Sequence, residues 1–141
     1  MSYQHTTFGY IIRIPQGDGI KQTLEEFCAD QKINGGSFFG IGAVRSATIG
    51  MYHINNFEYT YSDITKPHEI TNLTGNVALY DETLLIHAHI TLAGADHQAC
   101  GGHLKEAIAE PTCEITLFTH DPLQRTYDER SCLPLLDLPN N

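Results

Sequence analysis

The sequence predicts an α+β domain in which a mainly antiparallel β-sheet accompanies one principal amphipathic helix. Two observations support this fold class: a single helical apolar repeat near the N-terminus, and an alternation of turn signals with β-rich runs through the rest of the chain. The chain has 141 residues, of which 41% are hydrophobic, and this suits one core. We therefore expect a single domain over 1–141, with its core over about 8–120 and a C-terminal strap over 121–141.

The N-terminal third of the chain is predicted to contain a strand and the helix. Residues 8–14 are β-rich and end at a Pro-Gln-Gly turn. The helix is expected over about 18–31, with Asp18 as its N-cap. The glycines of Asn34-Gly35-Gly36 are expected to end it by taking positive φ. Its apolar positions share one helical face: Ile20, Leu24, Phe27 and Cys28.

After the helix, β-rich runs separated by turn signals predict six further strands. They are expected at 37–44, 46–53, 57–63, 68–80, 84–93 and 112–119. Ala107 to Glu110 is compatible with a helical turn, which Pro111 prevents from extending. The tail from Leu133 onwards, with its two prolines, is predicted to lie as a loose strap over the body.

The segment Gly40-Ile41-Gly42 begins like a dinucleotide-binding fingerprint. The third glycine is absent, and the residues that follow are β-like rather than helical, so no helix N-terminus would face a phosphate. We interpret the glycines as a bend or bulge between two strands.

The charge of the chain argues against nucleic-acid binding. There are 8 Lys and Arg residues against 17 Asp and Glu residues, a formal net charge of −9 at pH 7. No two basic residues are adjacent, whereas DNA binding draws most of its affinity from clustered cations that neutralise phosphates. We therefore expect no direct nucleic-acid binding.

The sequence also predicts a cytoplasmic protein. No apolar run approaches the roughly 20 residues that span a bilayer, and no secretory signal pattern is recognisable at the N-terminus. The four cysteines form no Cys-x-x-Cys pair, and in a reducing compartment they act as small apolar residues: Cys28, Cys100, Cys113 and Cys132.

The strongest chemical signal is the run Ile86-His87-Ala88-His89-Ile90. Side chains two apart on a strand point the same way, so His87 and His89 present two imidazoles on one face. His103 follows fourteen residues later, a separation that suits the neighbouring strand. Three histidines with an open fourth position are typical of zinc sites that bind water or substrate. The alternative is that His87 and His89 are hydrogen-bonded polar groups of a sheet.

Residues around the third histidine are candidates for supporting roles. Gly101 and Gly102 directly precede His103 and would let the backbones approach closely. Asp96 lies in the connecting segment, where its carboxylate is a candidate to orient a ligand histidine or to line a ligand cleft.

Four segments of this sequence, in this order, resemble the plant-and-prokaryote conserved (PPC) domain, a family also catalogued as a domain of unknown function. The resemblance runs from about Ile11 to Phe118, and its most specific element is Gly-Gly-His-Leu after His-x-His. The segments are Gly42 to Gly50, His68 to Val77, His87-Ala88-His89, and Gly101-Gly102-His103-Leu104.

The resemblance implies a homotrimer of α+β domains with a site for a divalent metal, zinc by our expectation. The metal would bind at His87, His89 and His103, near a cleft between subunits. Similar plant domains follow an AT-hook, whose Arg-Gly-Arg-Pro core enters the minor groove. This sequence has no such core, so a DNA-binding label would describe relatives rather than this chain.

Three functions remain open from the sequence. The first is a trimeric module that binds a metal or a small-molecule ligand. The second is a metal-dependent hydrolase acting on a small substrate, with Asp96 and Glu114 as candidate bases. The third is a regulator that acts through DNA or protein contacts, by family analogy alone.

Overall fold

The computed structural model describes residues 1–139 as one helix and nine strands. The helix α1 spans Ile20–Asp30. The strands are β1 (Ser2–Thr6), β2 (Gly9–Pro15), β3 (Gly36–His53), β4 (Glu58–Ile64), β5 (His68–Tyr80), β6 (Thr83–Ala93), β7 (Ala99–Thr119), β8 (Gln124–Asp128) and β9 (Leu133–Leu136). The predicted α+β class with a mainly antiparallel sheet is confirmed.

Two long strands, β3 and β7, organise the sheet. They pair antiparallel with each other, and β5 pairs with β3 along its first half. The strand β6 pairs with β5 along its length and with β7 over 99–103. The pairings of β3, β5, β6 and β7 therefore form a closed cycle, and the contact of β6 with β7 is the seam that closes it. The remaining strands extend this cycle at its edges.

The helix packs its apolar face onto the sheet as the periodicity predicts. Ile20, Leu24, Phe27 and Cys28 are all buried in the core. The sheet contributes alternate residues, including Ile12, Leu104 and Ile115. This burial of one helical stripe against one sheet face is what stabilises a two-layer α+β domain.

Both predicted ends of the helix need correction. Its N-cap is Gly19 rather than Asp18, and no side chain of the cap residue bonds the first turn. Instead, the Glu106 carboxylate on β7 accepts hydrogen bonds from the backbone N–H groups of Lys21 and Gln22, at 2.9 and 3.0 Å. A carboxylate there satisfies two otherwise unpaired donors and interacts favourably with the helix dipole.

At the C-terminal end, the chain leaves the helix earlier than the glycines. Gln31 is the C-cap, and Lys32 takes the positive φ, 56°, that we had expected of Gly35 or Gly36. The N–H of Ile33 then donates to the carbonyl of Cys28, which closes the helix end.

The strand predictions hold for 8–14, 57–63, 68–80 and 84–93 but fail in two places. The runs 37–44 and 46–53 belong to the single strand β3, whose pairing with β5 shifts register between Gly40 and Gly42. The predicted bulge is therefore present, but inside one strand. Ala107 to Glu110 is not helical, because β7 runs unbroken past Pro111. Pairing of β7 with β3 shifts register near this proline, where a residue without an N–H is tolerated.

The C-terminal strap is more regular than the two prolines suggested. Residues 124–128 and 133–136 form the antiparallel hairpin β8–β9, and β8 runs parallel to β5 at Leu79 and Tyr80. Residues 140–141 of the predicted strap lie outside the described part of the chain. In residues 1–139, no helix has the length and apolarity required to cross a membrane.

Candidate metal centre

The three histidines singled out from the sequence meet at the seam between β6 and β7. His89 and His103 are direct partners in the antiparallel pairing of these strands, and His87 lies two residues before His89 on the same face. One ring nitrogen from each lies within 4.8 Å of the other two. The ring centroids are separated by 5.2 to 5.6 Å. We call these three residues the histidine triad.

The spacing of the histidine triad is close to what a metal ion requires. Nitrogens that bind one zinc ion tetrahedrally at 2.0–2.1 Å are about 3.4 Å apart. Nitrogens within 4.8 Å reach that separation by small rotations of the imidazole side chains. The histidine triad can therefore bind a metal ion without movement of the strands.

Burial favours the neutral form of His87 and His103, and the neutral form of imidazole is the one that binds metals. The pKa of His103 is lowered to about 4. Burial is the largest cause, and electrostatic interactions with His87, His89 and Lys21 lower the pKa further. The pKa of His87 is also lowered, mainly by burial and then by electrostatic interactions with Arg125 and His89. The Nδ1 atom of His103 is buried and has no hydrogen-bond partner among residues 1–139. A buried imidazole nitrogen without a partner is costly, and a bound ligand that reached it would remove that cost.

Glycines allow the strands around the histidine triad to approach closely. A methyl group on Gly101 would lie 2.5 Å from the carbonyl oxygen of Ile90, and one on Gly102 would lie 2.6 Å from that of Gly50. Real Cβ atoms do not come this close to backbone oxygens. The two glycines therefore permit the close approach that the sequence suggested, although neither lines the space next to the imidazoles.

The two carboxylates considered from the sequence lie elsewhere. Asp96 is exposed in the turn after β6, where it accepts a hydrogen bond from the N–H of Gln98 at 3.1 Å. Glu114 is exposed on β7, where its register partners are Arg13 and Ile41. Neither belongs to the group of side chains that can hold a metal together with His103.

An aromatic wall that the sequence did not reveal stands beside His103. The ring of Tyr59 on β4 lies 5.0 Å from the His103 ring, and Tyr61 stacks on Tyr59 at 5.6 Å. Gly50 pairs with both Tyr61 and His103, and a methyl group there would lie 2.8 Å from the Tyr61 ring. The alternation Tyr59-Thr60-Tyr61 was the available signal, because it places two rings on one face of a strand.

A cavity of about 250 Å³ opens next to His87 and His103, and we call it the triad cavity. The strap closes its far side through Arg125 and Leu133. Arg125 was not predicted, and the available signal was a lone cation in an otherwise apolar and neutral run of the strap. The other residues around the cavity are Lys21, Tyr59, Leu85, Ile86, Pro134 and Leu135.

The fold and the histidine triad together define a class of protein: an α+β fold with a self-closing antiparallel sheet and three histidines that converge at the seam of that sheet. Comparison with known families then identifies the chain. Residues 1–121 match the Plants and Prokaryotes Conserved (PCC, or PPC) domain, and the chain belongs to this family.

Solved structures from three prokaryotes share the fold over nearly the whole chain. A protein from Bacteroides thetaiotaomicron, provisionally named as DNA-binding, is 31% identical, with 96% of each chain covered and a TM-score of 0.93. A metal-containing protein from Archaeoglobus fulgidus is 31% identical, with 98% of this chain and 99% of that chain covered and a TM-score of 0.85. A PPC protein from Pyrococcus horikoshii is 25% identical, with 99% and 97% covered and a TM-score of 0.87. No match was found among curated proteins.

Proposed function

We propose that the chain is a homotrimeric, cytoplasmic module that holds one zinc ion per chain at the histidine triad and offers it to a small-molecule ligand. The observation that carries the proposal is the convergence of three imidazoles, one of which has a buried nitrogen without a hydrogen-bond partner among the described residues. The relative from Archaeoglobus fulgidus is described as containing a metal, which supports the same reading. All four cysteines are free thiols, as suits a reducing compartment.

Zinc suits this site because of its ligands and its geometry. Imidazole binds zinc, copper, iron and nickel well, whereas magnesium and calcium prefer oxygen ligands. Three histidines leave a fourth tetrahedral position open, as in zinc sites that bind an exchangeable ligand. The triad cavity adjoins His87 and His103, so a ligand in it would reach that open position.

The test is the metal content of the purified protein after exposure to zinc and removal of the excess by dialysis. We expect about one zinc per chain. At a free zinc concentration of about 100 times Kd, binding stabilises the folded state by about 2.7 kcal/mol, which raises Tm by roughly 5–10 °C for a domain of this size. A chain that retains no zinc and shows no thermal shift would refute the proposal, and a different stoichiometric metal would correct only the identity of the ion.

The trimer is supported by a continuous apolar surface on the outer side of the sheet, which we call the apolar face. It consists of Phe8, Ile11, Phe39, Ile41 and Phe118. These side chains are 38% to 60% exposed, and Phe118 contacts both Phe8 and Phe39, with ring centroids 5.0 and 6.0 Å apart. Contiguous exposed apolar residues of this kind mark protein–protein interfaces.

The register of the sheet relates the apolar face to the histidine triad. Phe39 pairs with Thr74, and Thr74 pairs with His89 on the other side. His89 is the exposed member of the triad and lies on the same outward surface as Phe39. A second copy that covers the apolar face would therefore lie close to the metal, as expected for a site near a subunit cleft.

A Phe39→Glu variant is expected to dissociate the trimer. Light scattering during size-exclusion chromatography should give about three times the chain mass of 15.7 kDa for the wild type and the mass of one chain for the variant. A charge buried in an apolar interface without a partner is costly, which is the reason for the expected loss. Ile54→Glu is the matched control, because Ile54 is 54% exposed in the turn after β3, outside the apolar face. A monomeric wild type, or equal effects of both substitutions, would contradict the trimer.

We also propose that the chain does not bind DNA directly, although its relative from Bacteroides thetaiotaomicron carries a provisional DNA-binding name. The eight basic residues are outnumbered by acidic residues, and two of them are engaged internally. Arg125 is buried, and Lys21 forms an ion pair with Glu25 at 2.8 Å. In a gel-shift assay near physiological salt we expect no retarded duplex at micromolar protein. Salt-sensitive retardation at these concentrations would overturn this part of the proposal.

A further inference from the structure

The residue that the metal proposal leaves unexplained is Arg125, which forms part of the wall of the triad cavity. Its side chain is only 9% exposed. One guanidinium nitrogen, Nη1, donates to the carbonyl oxygen of Pro134 at 2.8 Å, and Nη2 donates to the side-chain oxygen of Asn76 at 2.7 Å. Both acceptors are neutral. The third nitrogen, Nε, is buried and has no hydrogen-bond partner in the described part of the chain.

A buried guanidinium with neutral partners is unusual, because a cation removed from water is normally paired with an anion. The guanidinium carries five N–H donors, and the two hydrogen bonds above leave several unused. Anchoring the strap would need only the bond to Pro134 and the bond to Asn76. The remaining donors and the uncompensated charge point to an anion that residues 1–139 do not supply.

The rest of the cavity lining supplies no counter-anion for Arg125. Among the described residues that line it, none is Asp or Glu, and the other cation, Lys21, is already paired with Glu25 at 2.8 Å. Asn76 connects Arg125 to the proposed metal site, because Asn76 is the cross-strand partner of His87. The apolar part of the lining includes Leu85 and, on the same hairpin as Arg125, Leu133 and Leu135.

We propose that the triad cavity binds a small organic oxyanion, whose charged head group lies against Arg125 and whose apolar body lies against Leu133 and Leu135. The inference rests on the proposed metal function, since the same ligand would reach the open position of an ion held by the histidine triad. Carboxylates and phosphates share the required chemistry, because both accept paired hydrogen bonds from a guanidinium. The volume of about 250 Å³ suits a small organic ligand.

The first experiment needs no variant and compares three probes of similar shape by calorimetry with zinc-loaded protein. Isovalerate is a carboxylate with a branched apolar body, isovaleramide is its neutral counterpart, and isobutylphosphonate carries a phosphate-like head. We expect one or both anions to bind at least tenfold more tightly than the amide. The tighter anion identifies the head group. Equal binding of the acid and the amide, or binding of no anion, would overturn the proposal.

The second experiment assigns the head group to Arg125. Arg125→Lys keeps the charge but loses the planar fork, and Arg125→Gln loses the charge. We expect isovalerate or isobutylphosphonate to bind at least tenfold more weakly to both variants, with the larger loss for Arg125→Gln. Arg130→Gln is the control, since Arg130 is an exposed arginine of the same strap. Unchanged affinity in folded Arg125 variants would overturn the assignment. If both variants fail to fold, the comparison of acid and amide repeated on zinc-free wild-type protein decides, because no metal is then present to bind the anion.

Zinc content measured on the same samples separates this inference from the metal proposal. A chain that retains zinc but binds neither anion refutes the oxyanion cavity and leaves the metal proposal intact. A chain that retains no zinc but binds an anion through Arg125 supports the cavity and refutes the metal site. A chain that does neither refutes both.

Discussion

A His103→Ala variant is expected to lose the zinc ion, falling from about one ion per chain to near zero after dialysis. His103 is the only member of the triad on β7, and without it the site has two imidazoles on one strand. Two ligands cannot hold zinc against dialysis, and the loss in affinity should exceed the roughly 10- to 100-fold that follows removal of an outer hydrogen-bond partner. The measurement is elemental analysis of dialysed protein, supported by the loss of the thermal shift with zinc.

Two further variants make this result specific. His103→Phe fills the same space without a metal ligand, so it separates loss of zinc from loss of packing. His120→Ala removes an exposed histidine at the end of β7 and should keep the full complement of zinc. If the His103 variants retain one zinc per chain while folded, the ion is bound elsewhere and the triad is not its site.

A Gly42→Ala variant is expected to lose about 3 kcal/mol or more of the free energy of unfolding. Gly42 has φ = 145°, a conformation that L-residues rarely adopt, at the bulge where β3 changes register with β5. A methyl group there would overlap the carbonyl oxygen of Thr112 and lie 2.9 Å from the Cα atom of Cys113. Both neighbours are backbone atoms, so relief of the clash would require β3 and β7 to separate.

Gly17→Ala is the matched control for this effect. Gly17 has φ = 91°, but a methyl group there would meet no atom within 4 Å. Gly17→Ala is therefore expected to lower the free energy of unfolding by only about 1 kcal/mol, through the backbone conformation alone. Chemical denaturation at one fixed chain concentration measures both variants, since the stability of an oligomer depends on concentration. Equal losses for the two substitutions would show that the close packing of β3 on β7 contributes nothing at Gly42.

The parts of the structure that sequence patterns predicted are those that depend on neighbouring residues. The apolar period of the helix and the His-x-His alternation on β6 are local, and both describe the structure correctly. The short connection between β6 and β7 places His103 opposite His89. Local patterns were thus sufficient for the helix and for the pair His87 and His89, whereas the inclusion of His103 rested on the family resemblance.

The features that were missed depend on pairings between distant segments. The helix start was misplaced because the carboxylate that accepts its first N–H groups is Glu106, 85 residues after Lys21. The aromatic wall depends on the pairing of three strands, because Gly50 on β3 is the register partner of both Tyr61 on β4 and His103 on β7. Arg125 meets the triad through Asn76, 49 residues earlier. Spacing along one strand carries no information about such register.

The first strand was missed for a different reason. Residues 2–6 are mostly polar, and all except Thr6 are exposed in β1, which pairs only with β2 among the described strands. An edge strand with little burial lacks the alternation of apolar and polar residues on which strand prediction depends.

The candidate site is built from two separate parts of the chain, the sheet and the strap. The histidines lie inside the stretch that matches the family model, which ends at residue 121, whereas Arg125 and the leucines of β9 come after it. The strap pairs with the sheet through β5, so most of its residues can change without altering the pairing of β6 with β7. Exchange of this short hairpin between relatives would present a different surface to the same three histidines, and grafting it is a direct way to measure how the strap selects a ligand.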